Sequence, residues 1–455
     1  MIVESFFDEG LGNSSYLLAA AERRTAVAID PQRDVDRYLD LADRRGWRIG
    51  HVLETHLHAD FVSGSRELAA RTGATVLASA EASLAFVHQP LRDGEVFNAG
   101  GLDFQVLATP GHTPEHLAFL LLSRDGRPKM LFSGGALLPG SAARTDLIAP
   151  HLTESLTRAL YHSLHERILT LPDFVPVHPT HGAGSFCAAG VQDKRSTTIG
   201  DERRSNPLVA AANEDAFVAR ALRDLSAYPD YFLRMRAVNQ SGPTLLGSLP
   251  KPAPLSALQV SHAMMGGAVL LDTRPSEAFD AGHIPSSYGI PLSPSFGTWA
   301  GWILPAEARL LLLTESDQAT ADVVRQMIRV GFERFEGYLA GGLSAWQAEG
   351  NETVSIPRIP VEAVQNDGRQ IVDVREAAEW RAGHVPGALS VPMSQLRQRL
   401  GNLPQQPLLV HCAQEFRSTI GASILERAGF QVSHLVGGFE AWGRAGKPVQ
   451  AALHG

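Results

Sequence analysis

The sequence predicts an α/β protein of three domains, over residues 1–245, 255–350 and 358–455. Three observations predict it. Strand-length apolar runs alternate with helix-spaced segments through the first 245 residues, a proline-rich linker follows, and the remaining chain repeats one α/β pattern twice. A chain of 455 residues is also too long for a single hydrophobic core.

Taken in order, Ser15–Ala20 and Thr25–Ile29 are strand-like runs that end at the turn Asp30-Pro31. Residues 35–45 have helical spacing and stop at Gly46. Residues 102–108, 117–122 and 129–133 predict strands, and potential ligands cluster in the loops between them. Residues 154–169 predict a helix ending before Pro172, and residues 217–238 predict another. The segment Leu246-Gly247-Ser248-Leu249-Pro250-Lys251-Pro252-Ala253-Pro254 has linker composition.

Beyond the linker, Asp272-Thr273-Arg274 with Gly282-His283-Ile284-Pro285 matches Asp373-Val374-Arg375 with Gly383-His384-Val385-Pro386. Gly341-Gly342-Leu343-Ser344-Ala345-Trp346 likewise matches Gly437-Gly438-Phe439-Glu440-Ala441-Trp442. A period of about 100 residues is domain duplication. Residues 351–360 form the second linker. Each unit alternates strands and helices, as a small parallel sheet covered on both faces does.

The net charge of −8, with no basic tract, argues against nucleic-acid binding. No apolar run is long enough to span a bilayer. The opening residues carry an early acid and no basic segment, unlike a secretory signal. Two widely separated cysteines, Cys187 and Cys412, suit a reduced, cytoplasmic protein. A homo-oligomer, dimer or tetramer, is the expected assembly.

The chemistry concentrates in Thr55-His56-Leu57-His58-Ala59-Asp60-Phe61, where an apolar strand opens into a loop. Two imidazoles and a carboxylate this close together are ligands for a first-row metal. His112 (after Pro110-Gly111), Asp146 (after Arg144-Thr145) and His178 (after Pro176-Val177) follow at loop-like spacings. This pattern resembles the metallo-β-lactamase superfamily and implies its αββα sandwich for the first domain. Dinuclear members carry a histidine directly after the motif aspartate. Here that position is Phe61, so a second metal loses a ligand and a single ion is expected. His56, His112 and Asp146 as two imidazoles plus a carboxylate leave three positions open, as in non-haem Fe(II) oxygenases. Spacing alone also permits His58 as a fourth ligand, which gives zinc and hydrolysis.

Thr55 to Asp60, Pro110 to Thr113 and Ala143-Arg144-Thr145-Asp146 resemble the persulfide dioxygenases of that superfamily. The resemblance implies one Fe(II) per chain on His56, His112 and Asp146, with His58, Asp60 and His178 holding the ligands and positioning water. It implies dioxygen and a low-molecular-weight thiol persulfide, of glutathione, coenzyme A or a similar carrier, as substrates. Arg144, Cys187, Lys194 and Arg195 are candidate substrate-binding residues. Cys187 also has the simpler reading of a small buried hydrophobe. Lys194 and Arg195 suit the carboxylates or phosphates of a thiol carrier.

The repeated unit resembles the rhodanese domain. In its second copy the strand 408–411 leads into Cys412-Ala413-Gln414-Glu415-Phe416-Arg417 and then a helix. A thiolate at a strand end, held by loop N–H groups before a helix, accepts and passes on sulfane sulfur. Cys412 is therefore the expected nucleophile and Arg417 the anion-holding residue. Glu415 departs from the usual loop and opposes a thiolate. The first copy has Thr314-Glu315-Ser316-Asp317 there, no cysteine, and is expected to be inactive. The whole implies a persulfide dioxygenase–rhodanese fusion for sulfide detoxification, making sulfite and then thiosulfate. The alternative is a zinc thioester hydrolase of the glyoxalase II kind with accessory rhodanese domains.

Overall fold

The computed structural model describes residues 1–455 except 21, 183, 189–193, 224, 365–367 and 452–455. It forms two compact units. One is Met1–Leu249 with the segment Arg325–Gly331, and the other is Pro250–Val324 with Phe332–Gly455.

The first unit is a two-sheet sandwich. Sheet one runs, in order, Ile2–Asp8, Asn13–Ala19, Thr25–Ile29, Arg48–Leu53, Thr75–Ser79 and Gln89–Leu91. Sheet two runs Thr197–Thr198, Pro176–Pro179, Pro128–Gly134, Leu117–Leu122, Leu102–Ala108 and Val96–Ala99. Alternate residues of one strand serve different layers. Leu18, Val27, Ile29 and Leu53 face Phe104, Val106, Phe119 and Phe132 between the sheets. Leu17, Ala26, Ala28 and Val52 instead pack against Tyr38, Ala42 and Leu68 of the helices Asp36–Arg45 and Ser65–Thr72. On the far side, Ala118, Leu120, Leu131 and Val177 receive Leu160, Leu164 and Phe217. Burial on both faces explains why these strands are continuously apolar in sequence. The layering is the expected αββα sandwich.

The helix expected at 217–238 is instead two helices, Glu214–Leu222 and Phe232–Ser241. Pro229 between them cannot continue a helix. Within the same unit, Arg329 pairs with Asp8 at 2.6 Å and its carbonyl accepts the Val62 N–H at 2.7 Å, beside the Phe61 loop.

The second unit holds two five-stranded sheets, parallel throughout and identical in strand order. One runs Pro254–Leu255, Phe335–Leu339, Leu310–Leu313, Val269–Asp272, Tyr288–Gly289. The other runs Arg358–Ile359, Val432–Leu435, Leu408–His411, Gln370–Asp373, Leu389–Ser390. The repeated motifs are fasteners of this fold. Arg274 grips Asp272 and donates to the Gly282 carbonyl at 2.8 Å; Arg375 does the same with Asp373 and Gly383 at 2.8 Å. His283 and His384 stack on Phe279 and Trp380.

Candidate metal centre and sulfur-transfer site

Three loops that leave strand ends deliver imidazoles to one point. His56 follows the strand Arg48–Leu53, His112 follows Leu102–Ala108, and His181 follows Pro176–Pro179. All three are buried, with one ligand atom of each lying within 4.8 Å of the others. In each ring the Nδ1 is already committed. His56 Nδ1 lies 2.8 Å from the Thr55 hydroxyl, whose proton goes to Asp30. His112 Nδ1 donates to the Arg144 carbonyl at 2.6 Å, and His181 Nδ1 donates to Asn13 Oδ1 at 3.1 Å. The three Nε2 atoms therefore carry lone pairs. His112 Nε2 has no hydrogen-bond partner, and the Nε2 atoms of His56 and His181 face each other at 3.2 Å. Burial pushes His112 down to about 3 and holds His56 well below the ordinary imidazole range, so both stay neutral. Convergent buried lone pairs with no proton donor are a cation site, and the residues fit a metal ion.

The two neighbouring histidines differ from these three. His116 accepts the Gly135 N–H at its Nε2 at 2.9 Å and meets Thr109 with Nδ1 at 2.8 Å, leaving no lone pair. His58 turns away to Glu54 and Asp30, at 3.2 and 3.4 Å. Burial opposes its charge, but these two acids raise it to about 10, so its ring keeps both protons. Phe61 stacks on that cation with ring centres 4.2 Å apart. His58 also forms a second buried group with Asp60 and His181, whose ligand atoms all lie within 4.8 Å of one another. The turn Gly134-Gly135 closes the far wall. A Cβ on Gly134 would lie 2.5 Å from His116, and one on Gly135 2.6 Å from His112.

The helix Phe232–Ser241 and the residues just before it clamp the metal loop. Asn239 donates to the carbonyls of His58 and Phe61 at 2.8 and 2.9 Å and accepts the Ser63 N–H at 2.8 Å. Tyr231 donates to the Asp60 carbonyl at 2.8 Å. Arg236 grips Glu115, which accepts the Leu57 N–H at 3.0 Å. Replacing Asn239 by alanine is expected to weaken metal binding by about 10–100-fold, as loss of an outer support does. Titration against a chromophoric chelator measures it.

In the second unit Cys412 ends the strand Leu408–His411 and is 2% exposed. The Ser418 hydroxyl lies 3.4 Å from its sulfur. Gly438, at φ 57°, lies so close beneath the loop that a Cβ would strike the carbonyls of Cys412, Ala413 and Gln414 at 2.3–2.8 Å. Trans peptides turn the following N–H groups to the other side. Glu415, expected to oppose the thiolate, is neutralised by Arg358 at 2.9 Å and accepts the Gly437 N–H at 2.8 Å. Arg417 is held by Glu379 through bonds of 2.6 and 2.7 Å. In the cysteine-less copy Thr314 stands at the matching strand end, its hydroxyl 2.6 Å from Thr320. An open cavity of about 530 Å³ lies beside it, lined by Arg274, Glu315, Ser316 and Gly342.

A family model described as Metallo-beta-lactamase superfamily matches residues 9–174, and one described as Rhodanese-like domain matches 256–349 and 361–445. The mitochondrial persulfide dioxygenase of Homo sapiens is 31% identical over 199 residues, which is 43% of this chain and 74% of that protein. This chain belongs to the metallo-β-lactamase superfamily, with two rhodanese-like domains behind that domain. A crystal structure of a metallo-β-lactamase from Staphylococcus aureus matches with a TM-score of 0.67 and 29% identity, over 74% of this chain and 98% of that one. The hydroxyacylglutathione hydrolase of Rhizobium meliloti is 31% identical, over 38% of this chain and 74% of that protein.

Within the metallo-β-lactamase domain the structure groups His56 and His112 with His181, and Asp146 lies outside that group. Both Asp146 oxygens are taken by Arg144 at 2.7 Å. The Arg-Thr-Asp loop acts instead through the Arg144 carbonyl, which orients His112. Arg144, expected to meet substrate, is buried in that ion pair and under the Tyr228 ring. His178 lies within a strand between the rings of Tyr16 and Phe132, outside the ligand groups. His181, three residues on, lies with His56 and His112 in one group of ligand atoms. The signal was available: His56 and His112 each follow a strand end, and His181 does too, whereas His178 sits inside one. Asp60 lies beside His181 and Asn13. Burial would raise its carboxyl, but His181 and Asn13 hold it down to about 2. The Cys187 thiol is fully buried, and burial, then the Asp60 charge, push it well above its ordinary range, so it stays neutral. Lys194 and Arg195 are exposed, with Arg195 over the Phe7 ring at 3.6 Å. No helix among the described residues is long and apolar enough to cross a membrane.

Proposed function

We propose that the protein is an Fe(II) persulfide dioxygenase coupled to a rhodanese, turning thiol persulfides into sulfite and then thiosulfate. The reading rests chiefly on the three convergent Nε2 lone pairs, in a domain similar to a persulfide dioxygenase and in one chain with Cys412. His56, His112 and His181 would hold the ion, which would give dioxygen and the persulfide sulfur a common place to react.

When bound, Fe(II) supplies the electron-transfer chemistry that lets dioxygen react with a closed-shell sulfur. The chain does the rest. Asn13, Thr55 and the Arg144 carbonyl fix the ring planes, so that the three nitrogens need no reorganisation. Phe61, which carries no donor atom, stands beside His58 and contributes nothing to a second ion. Lys194 and Arg195 are exposed partners for the anionic groups of a carrier such as glutathione or coenzyme A. The terminal sulfur takes both oxygen atoms; water then breaks the S–S bond, supplying the third oxygen of sulfite and the proton with which the carrier leaves as the free thiol. At the second site Cys412 displaces a thiol from another persulfide and holds its sulfane sulfur. Sulfite attacks that sulfur, thiosulfate forms, and the Cys412 thiol is restored.

Iron-loaded protein given glutathione persulfide or coenzyme A persulfide in an oxygen electrode is expected to consume one dioxygen for every two persulfides, because the second persulfide loads Cys412. A flat trace with both would overturn the reading. Three histidines are also a catalytic zinc set, which favours a thioester hydrolase as the second reading; hydrolysis of a glutathione thioester by the zinc-loaded protein would select it.

A further inference from the structure

A cysteine that attacks a persulfide must first lose its proton, and the Arg417 guanidinium near Cys412 is itself paired with Glu379. What touches the sulfur is Ser418, and a buried chain leads from there into the neighbouring domain. Ser418 Oγ lies 3.4 Å from Cys412 Sγ and 2.5 Å from His434 Nε2. His434 Nδ1 lies 2.8 Å from Asp280 Oδ2. Ser418, His434 and Asp280 are each at most 1% exposed. His434 belongs to the strand Val432–Leu435 of the last domain, whereas Asp280 lies on the helix Ser276–Ala281 of the cysteine-less one.

We infer that Asp280, His434 and Ser418 form a proton relay that converts the Cys412 thiol to the thiolate, with the cysteine-less domain supplying the anchoring charge. The inference rests on the reading of Cys412 as the sulfur carrier. The thiol S–H bond breaks and its proton passes to Ser418 Oγ, while the Ser418 proton passes to His434 Nε2. Thiol plus neutral imidazole becomes thiolate plus imidazolium, with no oxidant or co-reactant involved. Asp280 fixes the Nδ1–H tautomer, which leaves Nε2 free to accept, and it stabilises the imidazolium. Ser418 touches the reacting sulfur; His434 and Asp280 are positioning residues that act through it.

The surrounding charges support this arrangement. Arg358 meets Asp280 Oδ2 at 2.7 Å and holds Glu415 with its other nitrogen, so the loop carboxylate is neutralised where the thiolate forms. Asp280 Oδ1 is buried without a hydrogen-bond partner. His411, with Asp373 and Arg375, lies on the adjacent strand, and His283 pairs with Glu426 at 2.7 Å between the same two domains. The Glu415 carbonyl, 3.0 Å from Ser418 Oγ, is the competing acceptor for the hydroxyl proton. A purely structural serine would donate there.

The test is the ultraviolet thiolate absorbance of the full chain against pH, taken as a difference from Cys412→Ser protein so that Cys187 cancels. At neutral pH, Asp280→Asn, His434→Gln and Ser418→Ala are each expected to lower the thiolate-to-thiol ratio about tenfold. Ser418→Thr is expected to restore it, since Thr320 holds the matching place in the other domain. An unchanged profile in folded variants would overturn the relay. If His434→Gln fails to fold, Ser418→Ala, which removes one oxygen atom, decides alone. Because the signal needs no sulfur transfer, a normal thiolate without transferase activity would refute the carrier role of Cys412 and leave the relay standing.

Discussion

Replacing His181 by alanine is expected to strip the protein of its metal, whereas Asp146→Asn is expected to leave it bound. His181 contributes one of three lone pairs at the centre and is held in place by Asn13 and Asp60. Even outer supports of a metal site are worth about 10–100-fold in affinity, so losing a donor outright should exceed about 100-fold. Asp146 touches only Arg144 among the contacts that reach the site, and asparagine keeps one oxygen for that guanidinium. Metal analysis after dialysis against a chelator separates the two variants. The opposite pattern, with metal lost from Asp146→Asn and kept in His181→Ala, would restore the ligand set expected from sequence.

Replacing Cys412 by serine is expected to abolish sulfur transfer and to divert product from thiosulfate to sulfite, with oxygen uptake kept. The hydroxyl of serine cannot carry sulfane sulfur, and the substitution lies in a compact unit that contains none of the three imidazoles. Ion chromatography of the products alongside the oxygen trace reads both effects at once. Loss of uptake in this variant would show that the two reactions do not divide between the two sites.

Much of this architecture was legible in the sequence because it depends on local pattern. Strand-length apolar runs, the proline linker and the duplicated Asp-x-Arg and Gly-Gly motifs mark elements that form from their own residues. His56 and His112 were legible because each lies in a short motif at a strand end. The grouping of His181 with them was not legible, because His178 lies within four residues of it and only the extent of the strand Pro176–Pro179 decides which of the two leaves the strand. The pairing of Asp146 with Arg144, two residues away, was not legible, because a carboxylate in a loop looks the same whatever it meets. Glu415 looked harmful because its partner, Arg358, lies 57 residues earlier. The link from Asp280 to His434 spans 154 residues and two domains, and no local pattern can announce it.

The glycine corners of the two rhodanese-like domains carry identical sequence but answer to different demands. At Gly438 a methyl group would be driven into three carbonyl oxygens, so any larger residue must deform the loop that carries the nucleophile. At Gly342 the same methyl would meet nothing within 4 Å, and only the left-handed backbone still favours glycine. The cysteine-less copy has thus kept the hinge of a sulfur carrier after losing the load that hinge was shaped to bear. Its vacated hollow is tolerant ground, where sequence can drift without disturbing the neighbour that its Asp280 reaches.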